Sequence, residues 1–270
     1  MCKKFFLTLT IIFAILMFSC NESIKNNNNP KGPDFTPPGV YSWNDILQKY
    51  NQTNVLGYIM VERFDAKIYQ GIDTTKLVDA VEIYANASFF DEDYNFISAG
   101  QFLFNANQFI EFETGKYSYD PTLDVMDIYF DGTWNKFKNE SPSDFPLFVD
   151  SVQFNSIINI TNIQRGAHIS RSNNLTVQWT GTNDDVVGIF LDSHPFQGPT
   201  DSTDLAQTTG AVVDNTGSFT IPASKLAFFR RGIAYLTIIS YQPRFVTVSG
   251  GSKICILGVS RQEITIHIDN

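Results

Sequence analysis

The sequence is poor in the residues and motifs on which many enzyme and metal sites are built. Its 270 residues include three cysteines and three histidines. It contains no Cys-x-x-Cys pair, His-Glu-x-x-His, Gly-x-Ser-x-Gly, phosphate-binding glycine loop or dinucleotide fingerprint. We therefore expect a protein that is not an enzyme, with no catalytic residue, no metal ligand and no cofactor.

Cationic side chains are also scarce, with 19 Lys and Arg against 28 Asp and Glu. Without residues 1–19, the chain keeps 17 basic and 28 acidic side chains, hence a net charge of −11. Such a chain repels phosphate backbones, so nucleic acid is not an expected partner.

One apolar run stands out, and it lies at the start of the chain. Lys3 and Lys4 precede an apolar run 14 residues long, 5–18, which is followed by Ser19 and Cys20. The run is shorter than the roughly 20 residues that span a bilayer, which favours a removed signal peptide. It resembles a bacterial lipoprotein signal, which implies cleavage before Cys20, acylation of its thiol, and anchorage to the cell envelope, at the outer membrane. A conventionally cleaved or uncleaved signal remains the alternative.

The cysteines then leave no intramolecular disulfide. Cys2 would be lost with the signal and Cys20 would carry lipid, which leaves Cys255 alone. Cys255 lies in the apolar run 254–257, so we expect a buried thiol that acts as a small hydrophobic side chain.

Composition predicts how the rest of the chain is organised. Residues 20–40 are rich in asparagine and proline and read as a flexible tether. Residues 41–150 hold 18 acidic and 7 basic side chains, whereas 151–270 hold 8 of each. This step predicts an acidic domain and a neutral domain, with a boundary in the Pro-containing segment 141–151.

The acidic half begins with a helical pattern and then alternates as strands do. Trp43, Ile46, Leu47 and Tyr50 have helical spacing, and Ser42 and Asp45 form a capping signal. Two hairpins are predicted beyond it. The first turns at Thr114-Gly115, pairing Phe112 with Tyr117, Ile110 with Tyr119 and Glu113 with Lys116, and the second turns at Asp131-Gly132, pairing 125–130 with 133–138.

The second half predicts seven or eight strands. Alternation is clearest in 175–180 and 264–268, and further strands are expected at 185–191, 210–214, 217–221, 232–242 and 253–259. This favours an immunoglobulin-like or fibronectin-like sandwich with Trp179 in its core. The expected fold class is thus all-β, with two β-sandwich domains and one short N-terminal helix.

Four blocks carry a resemblance to a family: NASFFDEDYNFISAGQFLFN, GTWNKFKNESPSDFPLF, NLTVQWTGTNDDVVGIFL and GSFTIPASKL. They are similar to two-domain cell-envelope lipoproteins of Bacteroidota, for which no activity is established. The resemblance covers most of residues 80–225. It implies secretion, a membrane anchor and β-sandwich domains, and no catalytic residue.

Candidate sites are few. The acidic turn 91–95 matches the first three ligand positions of a calcium loop, but Phe96 and Phe102 replace the required Gly and Glu, so we interpret it as a solvated turn. Asp192, Ser193 and His194 are the residue types of a hydrolase triad, but we interpret their adjacency in the sequence as chance. Two carboxylates of the acidic domain could also lie close together in space and form a hydrolase site. Spacing along the chain does not identify such a pair.

The aromatic residues offer one candidate binding site. In the second predicted hairpin, Tyr129 and Trp134 face outward beside Asp127. They form either a platform for a sugar or a surface covered by segment 145–149. Because large aromatics are mostly buried, the covered interpretation is the default.

We accordingly expect a lipid-anchored, non-catalytic binding or scaffolding component of the cell envelope. Its possible ligands are neutral glycans, bound by Tyr129, Trp134 and Asp127, or an envelope protein. The alternative is a hydrolase of envelope or dietary polymers.

Overall fold

The computed structural model describes residues 40–70, 73–119, 127–181, 186–193, 208–229 and 231–269. The signal, Cys20 and the tether up to residue 39 lie outside them. The chain is mostly β-sheet, which confirms the all-β class. No helix among the described residues has the length and apolar composition needed to cross a membrane.

The predicted helix is present. Helix α1 spans Trp43–Lys49, and the Ser42 hydroxyl accepts a hydrogen bond from the Asp45 amide while the Asp45 carboxylate accepts from the Ser42 amide. This reciprocal capping box satisfies two amide groups that the first turn leaves unpaired. Tyr41–Thr53 belong to one compact unit and Asn54–Asn270 to another.

The described residues of the second unit form strands, one short helix, α2 (Ala223–Leu226), and a 3₁₀ turn at Ser249–Gly251. In chain order the strands are β1 (Val55–Gln70), β2 (Asp73–Phe89), β3 (Gln101–Phe104), β4 (Asn107–Gln108), β5 (Ile110–Glu113), β6 (Lys116–Ser118), β7 (Trp134–Glu140), β8 (Val149–Gln153), β9 (Asn159–Ile160), β10 (His168–Ser170), β11 (Leu175–Thr180), β12 (Val186–Ser193), β13 (Thr208–Asp214), β14 (Ser218–Ile221), β15 (Gly232–Thr247) and β16 (Lys253–Asp269).

Within the described ranges, these strands form three sheets. The largest has nine strands in the order β13-β12-β15-β16-β1-β2-β6-β5, with β10 also paired to β16. Strands β14-β11-β9 form a second sheet, and β4-β3-β7-β8 form a third. In the largest sheet β1 runs parallel to β16, whereas β2 and β15 run antiparallel to their neighbours.

Two hydrophobic cores share the large sheet. Ile254 and Ile256 of β16 belong to the first core, and Ile264, Ile266 and Ile268 to the second. These residues have the same parity, so they project from one face of the strand. Strand β16 therefore runs beneath both cores in succession.

Buried polar residues lie between the two cores on the same strand. The Ser260 hydroxyl accepts a hydrogen bond from the Ile158 amide (2.9 Å), and the Gln262 side chain accepts one from the Ile160 amide (2.6 Å). These bonds attach the segment that leads from the first core to the second directly to the sheet. They also satisfy backbone donors that would be costly to bury unpaired.

The predicted division into two separate sandwiches is not confirmed. Strand β1 of the first half pairs with β16 of the second, and the predicted boundary at 150/151 falls inside β8. The charge step that suggested the boundary reflects solvated side chains, which do not determine how backbones pair. The immunoglobulin-like assignment of the second half is likewise not confirmed.

The first predicted hairpin forms in part. Glu113 lies opposite Lys116, with an ion pair of 2.9 Å, as predicted. A bulge follows, so the predicted pairings of Phe112 with Tyr117 and of Ile110 with Tyr119 are wrong. The Glu111 carboxylate accepts hydrogen bonds from the Gly115 amide and from the Ser98 hydroxyl, which fits the shifted register.

The second half follows its sequence pattern more closely. Leu175, Val177 and Trp179 are buried and alternate with exposed residues, as predicted. The Trp179 indole nitrogen donates to Asn215 Oδ1 (2.9 Å), so the ring is buried with its polar group satisfied. Cys255 is buried too, and burial raises the pKa of its thiol.

Candidate functional site

A groove of about 490 Å³ lies between the third sheet and the large sheet. One wall is formed by residues 150–153 of the edge strand β8, with Asn155 beyond it, and the other by residues 244–247 at the end of β15. Trp134, the first residue of β7, completes the lining. The groove therefore combines two aromatic residues, Trp134 and Phe245, with charged and amide side chains.

Trp134 is exposed because of the alternation of β7. Asn135 and Phe137 point into the protein, which turns Trp134 and Lys136 outward. Trp134 is 54% exposed and lies opposite Gln153 in the β7–β8 register. Its ring thus stands at the end of the groove with an accessible face.

Arg244 is held in place by carbonyl groups. Its Nε donates to the Gln153 carbonyl (3.1 Å), and its Nη1 donates to the Pro243 carbonyl (2.9 Å). No carboxylate lies within 4.0 Å of this guanidinium in the described part of the chain. Two bonds therefore fix its orientation and leave further N–H groups for another partner.

The end of β15 that lines the groove extends beyond its pairing with β12. In the part of the chain that the structure describes, strand β12 pairs with β15 as far as Val187–Ser240, and Pro243 and Arg244 lie beyond that point. Proline is suited to such an edge because it has no N–H to donate to a neighbouring strand. Pro243 is therefore the sequence signal that could have pointed to this edge, and Arg244 and Gln153 are groove residues that sequence reasoning missed.

The structure does not place the other two predicted ligand-binding residues in the groove. Tyr129 and Asp127 are exposed, but neither lines it. The predicted pairing of 125–130 with 133–138 is wrong for residues 127–130, which form no strand. The Asn135 side chain bonds both the amide and the carbonyl of Tyr129 and so takes the place of a backbone ladder.

The prediction that segment 145–149 covers both rings is also wrong. Tyr129 is 36% exposed, and Leu147 and Val149 of that segment are themselves exposed. Phe145 and Phe148 point into the first core instead. Trp134 consequently remains a candidate contact residue. Ligand binding by Tyr129 and Asp127 stays a prediction, because neither residue lines the groove with Trp134.

A second cluster consists of buried charges on the large sheet. Arg261 Nη2 lies 2.6 Å from Glu263 Oε2, and Arg261 Nη1 lies 4.0 Å from Glu62 Oε1. The Thr237 hydroxyl donates to the same Glu263 oxygen (3.1 Å). Glu62 is 2% exposed and Glu263 6% exposed.

This cluster brings together a carboxyl of the acidic half and one of the neutral half. Burial raises the pKa of Glu62, Arg261 opposes that shift, and Glu263 and Glu82 add to it. A carboxyl with a raised pKa beside a second carboxylate is a common arrangement for acid catalysis. Here both groups are buried and directed at an arginine, which is also the pattern of a structural ion cluster.

Two histidines meet at the end of the large sheet. His168 lies opposite His267 in the β10–β16 register, and their rings stack at 4.9 Å. His168 Nδ1 is 2.9 Å from Asp269 Oδ2. Sequence reasoning treated these residues separately because 99 positions separate the two histidines. No group of three or more His, Cys, Asp or Glu residues within the described ranges is arranged to hold a metal ion.

The remaining motifs read from the sequence have simple outcomes. Asp91 Oδ1 accepts hydrogen bonds from the amides of Asp93 and Asn95, so the acidic segment is a side-chain-stabilised turn, as predicted. His194 lies outside the described residues, and the Asp192 carboxylate accepts a hydrogen bond from the Thr208 hydroxyl.

Comparison with known proteins adds no relative: no family model matches the chain, and no curated protein is significantly similar to it.

Proposed function

We propose that this protein is a lipid-anchored, non-catalytic binding component of the cell envelope that holds glycans in the groove at Trp134. The anchor would be Cys20, acylated after removal of residues 1–19, and the envelope membrane would be its first partner. The resemblance to Bacteroidota cell-envelope lipoproteins supports this localisation.

The observation that carries the binding role is the exposure of Trp134 within a groove. Large aromatic side chains are usually buried, and an indole left 54% exposed loses about half of the free energy that full burial would provide. Sugars present C–H faces that pack against such rings, while hydroxyls bond amide and charged side chains. Trp134, Gln153 and Asp150 supply both kinds of group in one place.

The predicted pair of β-sandwiches is retained in a modified form. We propose two sandwich-like halves, the second immunoglobulin-like, that share the nine-stranded sheet. The two separate hydrophobic cores, each with a small sheet packed over the large one, support this arrangement.

Trp134→Ala tests the binding role, with Tyr129→Ala as a matched control. Both residues are exposed aromatics near the same turn, but only Trp134 lines the groove. In affinity electrophoresis through gels that contain neutral glycans, the full chain in detergent should be retarded. Stacking on an aromatic ring is worth up to about 1.5 kcal/mol, so Trp134→Ala should weaken retention about tenfold.

Tyr129→Ala should bind as the unmodified chain does. Equal losses in the two variants would assign the effect to the turn rather than to the groove, and an absence of retention on every glycan tested would contradict the proposal.

The second candidate is a hydrolase, and the Glu62–Arg261–Glu263 cluster is the observation that favours it. Glu62 would be the acid, because burial raises the pKa of its carboxyl. The low exposure of both carboxyls favours the non-catalytic role. Release of reducing ends from a glycan by the unmodified chain, abolished in Glu62→Gln, would establish the hydrolase instead.

A further inference from the structure

We infer that the groove at Trp134 selects glycans whose sugars carry a carboxylate, and that Arg244 is the residue that recognises it. This inference rests on the proposed glycan-binding function and names the substrate class of the same groove. It replaces the expectation of a neutral glycan, which was drawn from the net charge of the chain.

Arg244 is held in a fixed orientation and keeps unused hydrogen-bond donors. A guanidinium has five N–H donors, and the carbonyls of Gln153 and Pro243 account for two of them. Both acceptors are neutral, so the positive charge has no carboxylate against it among the described residues. An oriented guanidinium with unused donors is suited to a planar carboxylate.

A ligand in the groove interacts more strongly with nearby Arg244 than with the net charge of the whole chain. At physiological ionic strength the Debye length is about 8 Å, so most of the acidic side chains act on a ligand only weakly. A carboxylate in the groove instead meets Arg244 directly. The net charge of −11 therefore slows the approach of acidic chains without preventing contact at this position.

The second charge of the groove narrows the ligand further. Asp150 also lines it, and its Oδ1 accepts a hydrogen bond from the Ser151 amide (2.7 Å). With one cation and one anion, the groove can neutralise a single negative charge beside Arg244. A doubly charged phosphate would keep one charge facing Asp150, so a uronic acid fits better.

Gln153 connects the two recognition elements. It lies opposite Trp134 in the strand register, and its carbonyl accepts the bond from Arg244. Its side-chain amide donates to the Gly132 carbonyl (2.6 Å), which holds β8 against the turn before Trp134. A sugar stacked on Trp134 would thus lie beside Gln153, whose backbone carbonyl orients Arg244.

The test compares polygalacturonate with its methyl ester, which has the same backbone without the charge. In affinity electrophoresis with the full chain in detergent, polygalacturonate should bind about tenfold or more tightly than the ester. Arg244→Gln should abolish that difference by weakening the binding of polygalacturonate. Trp134→Ala should weaken binding to both, and Lys225→Gln, which removes an exposed charge outside the groove, should change neither.

Each other outcome is decisive. If the ester binds as well as the acid, the inference is overturned while the glycan-binding function stands. If neither polymer nor any neutral glycan binds, both are overturned. Equal binding of poly-glutamate would show that the groove recognises a carboxylate without the sugar and would overturn the assignment to a glycan. If Arg244→Gln does not fold, the comparison of acid and ester on the unmodified chain still decides whether the groove selects a carboxylate.

Discussion

The contact between Gly258 and Phe154 offers a sharp test of the packing beneath the first core. A Cβ at Gly258 would lie 2.4, 2.6 and 2.7 Å from three atoms of the Phe154 ring. That ring is fully buried and stacks on Phe130 with 5.2 Å between centroids. Gly258→Ala therefore overpacks a site that cannot expand into solvent, at a cost of about 2 kcal/mol.

The assay is thermal unfolding followed by circular dichroism. For a chain of this size, about 2 kcal/mol corresponds to a fall of about 4–8 °C in Tm. Gly57→Ala is the control, because its Cβ would meet the Ile254 side chain at 3.0 Å and should cost less. Phe154→Leu should relieve the clash, so the double variant should be at least about 1 kcal/mol more stable than the two single losses predict. Additive losses, or an unchanged Tm for Gly258→Ala, would refute the packing described.

Three further predictions concern other parts of the chain. Trp179→Ala should cost about 3–5 kcal/mol, because the variant loses a buried ring and its bond to Asn215; calorimetry checks this, and an unchanged Tm would contradict the core assignment. Because the pKa of Glu62 is raised in the folded protein, its carboxyl contributes stability at low pH that is lost as the pH rises through the folded-state pKa. The Tm of Glu62→Gln should therefore rise relative to that of the unmodified chain between pH 4 and 8. A constant or falling difference in Tm would contradict this. Cys20→Ala should abolish incorporation of labelled fatty acid, and persistent labelling would contradict the lipoprotein signal.

Local chemistry made several elements predictable. The capping box at Ser42 and Asp45 and the alternation of 175–180 depend on residues close together in sequence, and both are present. The Glu113–Lys116 pair was found for the same reason. Strand β16 was predicted as two pieces, 253–259 and 264–268, because its buried polar residues interrupt the apolar pattern.

Non-local pairing explains most of what the sequence did not reveal. The β1–β16 pairing joins residues almost 200 positions apart, and apolar alternation does not specify a partner. The bulge at Phe112 depends on bonds made by Glu111, and the loss of the second hairpin depends on the Asn135 side chain. Such side-chain replacements of backbone ladders leave no periodic signal.

The candidate site shows the same division. Trp134 could be identified because strand parity turned it outward. The groove itself could not, because its walls come from β8 and β15, which are about 90 residues apart in the chain. Arg244 had no distinguishing feature in sequence apart from the proline before it.

A fluorescence titration tests the central claim, glycan binding at Trp134, most directly. The chain has three tryptophans: Trp179 is buried, Trp43 is half-buried, and Trp134 is exposed and lines the groove. Addition of polygalacturonate to the full chain should shift its emission to shorter wavelength with saturation, and Trp134→Phe should remove the shift. An unchanged spectrum with polygalacturonate, its methyl ester and neutral glycans alike, or a shift that persists in Trp134→Phe, would contradict glycan binding in this groove.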